Sequence, residues 1–112
     1  MRYEQPEPIT PDEAEPLLRD PDPDVVCQAL VRVVHSDVDL RWAQARCIDA
    51  ASSPHLAVRQ AAATCLGHLA RLHGKLDTAK VMPVLRRLLA DPATQGVAED
   101  ALEDLQTFKK RS

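Results

Sequence analysis

The chain has 112 residues and a net charge of −3; 45% of it is apolar but only 3% aromatic. That length suffices for one domain with its own core, and with Tyr3, Trp42 and Phe108 as the only aromatics the core must be Ala, Val and Leu, a composition suited to close-packed helices rather than a β-sandwich. No run of 18 apolar residues is present, and MRYEQPEPIT lacks the apolar stretch of a secretory signal, so a cytoplasmic protein with no membrane role is expected.

Residues 1–9 are polar, carry proline and show no period, which predicts an extended N-terminal arm ahead of a single domain over 10–112. Thr10-Pro11-Asp12-Glu13 reads as a helix start, with Thr as N-cap, Pro in the first turn and Glu closing a capping box. This first helix is short, and Asp20-Pro21-Asp22-Pro23 stops it. Val25, Val26, Ala29, Leu30, Val33 and Val34 form a helical stripe from about Asp24 to His35, after which Ser36-Asp37 supplies a break and a new cap. The next helix, about Val38 to Ala51, carries Leu40, Ala43, Cys47, Ile48 and Ala51.

The longest helix is expected from His55 to His73, with Val58, Ala61, Ala62, Cys65, Leu66, Leu69 and Leu72 inward and Gly74 as its left-handed terminator. Asp77-Thr78 begins a fifth helix with Val81, Val84, Leu85, Leu88 and Leu89, whose regular part is expected only after Pro83. The last helix, about Ala93 to Lys109, buries Ala98, Ala101, Leu102, Leu105 and Phe108, and places Lys109, Lys110 and Arg111 at its carbonyl end.

Charge is segregated. Residues 1–40 hold ten acids against three bases, residues 41–90 eight bases against two acids, and residues 91–112 five acids against three bases. Acidic ends around a basic middle predict a polarised surface, unless these charges are simply the solvated outer faces of helices.

The helices repeat. Ser53-Pro54 followed by Val58, Arg59, Ala62, Cys65, Leu66, Gly67 and Leu69 matches Asp20-Pro21 followed by Val25, Val26 and Ala29 at a displacement of 33 residues, and Thr94, Ala98, Ala101, Leu102 and Leu105 repeat the pattern 36 residues on. Two-helix units of this length stack into solenoids. The stretch SPHLAVRQAAATCLGHLA resembles the first helix of a HEAT repeat of the short bacterial type found in phycobilin-lyase-related proteins, and AKVMPVLRRLLADP resembles the second. The implied fold is all-α: a short right-handed α-solenoid of stacked antiparallel hairpins with five to six helices. The resemblance also gives Arg59 a structural role, meeting an aspartate near a helix start, with Asp20, Asp22 or Asp91 as partner; the first repeat has Val26 where Arg59 stands.

Catalytic chemistry finds little support. His35, His55, His68 and His73 are the acid–base candidates, but they lack CxxC or HxxxH company, and Cys65 stands where the repeat wants a small apolar residue. Gly67, Gly74 and Gly96 are isolated and make no phosphate loop. Cys27, Cys47 and Cys65 read as buried, reduced thiols. No catalytic residue, metal, cofactor or small-molecule substrate is expected.

A binding role is expected instead. Small HEAT-like proteins of this kind resemble immunity proteins of contact-dependent growth inhibition and related polymorphic toxin systems, which implies a toxin as partner, a basic nuclease in particular given the acidic lobe. A stand-alone adaptor or assembly factor is the alternative, and nucleic acid is disfavoured because no aromatic-interleaved basic stripe exists. Trp42, a lone Trp among charges, is either an interface anchor or a plug between hairpins. Arg46 flanks it, Asp37 and Asp39 share its helix start, and Glu99, Asp100, Glu103 and Asp104 are placed on the outward face of the last helix; together these form the expected partner-binding set.

Overall fold

A computed structural model of the chain describes residues 7–108. Among them are six helices and no strand: α1 Pro11–Leu18, α2 Pro23–Val34, α3 Leu40–Ala50, α4 Leu56–His73, α5 Thr78–Leu89 and α6 Gln95–Thr107. The caps explain most of the boundaries. Thr10 accepts the Glu13 N–H while the Glu13 carboxylate takes the Thr10 N–H, a complete capping box. Asp22 caps α2 through the Asp24 N–H at 2.9 Å. Gly74 ends α4 at φ 61°, a conformation that costs glycine nothing and a β-carbon much.

Two boundaries differ from expectation. The cap of α3 is Asp39 and not Asp37: its carboxylate accepts the Trp42 N–H at 3.0 Å, leaving Asp37 exposed in the preceding turn. Helix α5 is regular from Thr78, with Pro83 inside it. Pro83 is exposed, so its ring does not intrude on the core and the lost hydrogen bond falls on the outer side. Lys109, Lys110 and Arg111 lie outside the described residues, as do residues 1–6 of the expected arm.

Each odd-numbered helix packs most closely on the even-numbered helix that follows it, giving hairpins α1–α2, α3–α4 and α5–α6. The grouping that the sequence resemblance implies, α4 and α5 as first and second helix of one repeat, is thus shifted by one helix. The even helices also pack side by side, α4 lying between α2 and α6. Small residues permit this closeness. A β-carbon on Gly67 would lie 3.3 Å from the Ala101 Cα and 2.8 Å from a carboxylate oxygen of Asp104, so α4 and α6 meet backbone to backbone there. The odd helices make no comparable direct contact and stand apart, bridged by polar side chains.

Leu30, Leu66, Leu69, Leu85, Val33 and Val81 are the largest apolar side chains buried completely between the layers. Each such burial stabilises the fold by about 1.5–3 kcal/mol. Glu7–Ile9 lies along α2: Arg32 donates to the Glu7 and Pro8 carbonyls, the Ile9 N–H donates to Ser36 Oγ at 2.9 Å, and Ile9 is 4% exposed within the core. Leu72 and Phe108, expected inside, are exposed at the ends of α4 and α6, where neighbouring helices no longer cover them. No described helix is long and apolar enough to cross a membrane.

Candidate functional site

Three places on the surface combine charge with a shaped setting. The first joins α1 to α3. The Trp42 indole N–H donates to Glu15 Oε1 at 3.0 Å, and Arg46 Nη1 donates to the same oxygen at 3.3 Å. Arg19 holds the other carboxylate oxygen at 3.1 Å, and Arg46 reaches Asp49 at 3.0 Å. Arg46 Nε is buried without a partner. Glu15, Arg19, Arg46 and Asp49, though not Trp42, border a recess of about 370 Å³ between α1, α3 and the start of α4, lined also by Leu18, Val26 and Val58. Trp42 is half-buried against the core, so its ring is partly a plug and only partly available to a partner.

The second place is a cleft of about 880 Å³ between α3 and α5. Its aliphatic lining is Leu40, Ile48, Leu76 and Pro83, and Arg41, Lys75 and Lys80 stand around it. Gln44, which lines the cleft yet is only 6% exposed, holds its inner end by accepting the Asp77 N–H at 2.8 Å. This contact ties α3 to the start of α5 in place of a side-chain cap, which Asp77 does not make. Sequence reasoning passed over Gln44. Its one available signal was a polar residue next to the Leu40–Ala43–Cys47 stripe.

The third lies at the ends of the even helices. The His35 and His68 rings stand 5.4 Å apart, tilted by 57°, and the Arg71 guanidinium lies 6.0 Å from the Phe108 ring centre. Burial lowers the His68 pKa, and the charges of His35 and Arg71 lower it further against the opposing pull of Asp104. His35 Nδ1 is 2.9 Å from the Val31 carbonyl.

The other expected residues are dispersed. Glu99, Asp100 and Glu103 are exposed on α6, and Asp104 is half-buried beside Gly67. Arg59 meets no aspartate among the described residues; it turns back over the first turn of its own helix and donates to the Ser53 carbonyl at 2.8 Å. Cys47 and Cys65 are buried, whereas Cys27 is half-buried. The hydrogen bond with Cys65, with burial, pushes the Cys47 thiol well up, and burial also raises Cys27. Among the described residues no three His, Cys, Asp or Glu side chains converge as metal ligands.

Comparison with known proteins agrees with this architecture. The family description "HEAT repeats" matches residues 11–106. No curated protein matches the chain. A chain in the crystal structure of a CDI complex from Cupriavidus taiwanensis LMG 19424 is similar at 33% identity and a TM-score of 0.84, over 98% of this chain and 99% of that one.

Proposed function

The chain belongs to the HEAT-repeat family, and from that premise we propose that it is a non-enzymatic immunity protein that binds and neutralises a toxin domain in the bacterial cytoplasm. The observation that carries this reading is the end-to-end likeness to a chain of a CDI complex, where CDI denotes contact-dependent growth inhibition. A shared fold alone would say little, since HEAT solenoids serve many partners. Here 33% identity accompanies nearly complete coverage of both chains, so size and repeat number agree as well as topology.

The toxin is a basic protein, a nuclease in the narrower form of the proposal. Asp37 and Asp39 at the start of α3, with Glu99, Asp100 and Glu103 on α6, supply exposed negative charge that speeds capture of such a partner. The half-exposed ring of Trp42, held by Glu15 beside Arg46, is the proposed anchor next to the first two acids. Asp104 adds to the field from its half-buried position.

The test is co-expression with the product of the adjacent reading frame. The expected result is growth arrest by that product alone, rescue by this chain, and a 1:1 complex by calorimetry. A non-toxic neighbour that forms no complex would overturn the proposal.

A further inference from the structure

The α3/α5 cleft takes no part in the acidic steering just described, and its chemistry has the opposite sign. Arg41, Lys75 and Lys80 surround it, and Arg87 follows Lys80 by seven residues, two turns along the same side of α5. The ion pairs among the described residues engage Arg19 and Arg46 only, so these four cations are unpaired there. Of the two acids in the cleft, Asp49 is already paired with Arg46, which leaves Asp77. Between the cations lie Leu40, Ile48, Leu76 and Pro83.

Pro83 contributes a further feature. It has no N–H, so the Ala79 carbonyl one turn earlier lacks its helical donor, and both residues line the cleft. The site therefore offers positive charge and an aliphatic floor, beside a solvent-exposed turn of α5. We propose that this cleft seats an acidic polypeptide segment of a protein partner, with carboxylates on Arg41, Lys75 and Lys80 and an aliphatic side chain between α3 and α5. A polypeptide that carries both acidic and aliphatic side chains answers both features. A nucleic acid answers only the charge: no aromatic side chain lines the cleft for a base to stack on. The inference holds whether or not the partner is a toxin.

The probe is a random dodecapeptide display library selected on the purified full chain. Selected peptides should be enriched in Asp and Glu together with Leu, Ile, Val or Met. Their affinity, read by fluorescence anisotropy, should fall about tenfold in Arg41→Glu/Lys80→Glu and again at high salt. It should be unchanged in Gln95→Ala/Gln106→Ala, a pair of exposed, uncharged positions on α6 outside the cleft lining. Arg41 and Lys80 are exposed and unpaired, so the double variant should melt with the parent. Failure to select peptides, selection without acidic enrichment, or indifference to the cleft reversal would overturn the inference. So would tighter binding of a 12-nucleotide single-stranded RNA that the same reversal abolishes. If peptide selection fails while the chain still rescues growth, the cleft inference falls and the immunity reading stands.

Discussion

Trp42 Nε1 and Arg46 Nη1 converge on one oxygen of Glu15, at 3.0 Å and 3.3 Å, and so join α3 to α1 where the two helices make little direct contact. The ring packs against the core while its polar edge is held by a carboxylate that is itself shared between two arginines. Trp42 is thus a structural bridge with one half-exposed face, a mixture of the two roles its sequence context suggests.

Trp42→Phe and Trp42→Ala should separate these roles. Phe keeps most of the ring and loses a hydrogen bond to a charged acceptor, which costs about 1.5 kcal/mol. Ala also removes the packing, and because the site is half-buried the total should be about 2–3 kcal/mol, below the range for a fully buried Trp. Urea denaturation measures both. If the exposed face anchors a partner, Phe should bind nearly as well as Trp, whereas Ala should weaken binding by more than its unfolding explains.

The glycines give a sharper contrast. Gly67→Ala should destabilise by about 1 kcal/mol or more, although alanine is the better helix former, because its methyl would press on the Ala101 backbone at 3.3 Å. Gly96→Ala has nothing within 4 Å of the new methyl and should be neutral or stabilising by about 0.5 kcal/mol. Equal shifts in melting temperature for the two would contradict the close approach of α4 and α6.

Why sequence located the helices but not their contacts follows from these residues. Thr10, Glu13, Gly74 and the aliphatic stripes act within one or two turns, so spacing alone reveals them. Glu15 with Trp42, Gln44 with Asp77, and Gly67 with Ala101 are separated by 27 or more residues in the chain, and nothing local distinguishes Glu15 from other acids on α1. The same limit explains Arg59, whose expected aspartate was one of several at helix ends, and Phe108, whose apolar stripe runs past the edge of its neighbours.

His68 makes stability depend on pH. Its pKa is lowered in the folded state, chiefly by burial, so between that value and about 6.5 the unfolded chain binds more protons at this residue. The contribution is complete above about pH 6.5 and is lost as pH falls through the folded pKa. Melting temperature should therefore drop on acidification below about pH 6.5, with a shallower drop in His68→Gln. Identical profiles for parent and variant would place the pH dependence elsewhere.

The thiols should react in two classes. Cys27 is half-buried with a raised pKa, so a thiol reagent should label it in the native state, slowly at neutral pH and faster as pH rises. Cys47 and Cys65 are buried and should label only on unfolding. Mass spectrometry after timed labelling reads this directly; early modification of Cys65 would show that α3 and α4 open more readily than their packing suggests.

The steering role of the acids is the most exposed of these expectations. Asp37, Glu99, Asp100 and Glu103 are exposed and have no ion-pair partner among the described residues, so reversing them to Lys should leave the fold intact. Asp39 needs separate treatment, because its carboxylate caps α3; Asp39→Asn removes the charge and keeps an acceptor for the Trp42 N–H. Against a basic toxin, the combined reversal should lower the association rate by about tenfold at low salt and flatten its salt dependence, while dissociation changes little. Stopped-flow binding at two ionic strengths decides the matter. An unchanged rate would remove the acids from the encounter. A faster one would mean that the partner approaches with negative charge, and would shift the point of contact from the acids to Arg41, Lys75 and Lys80.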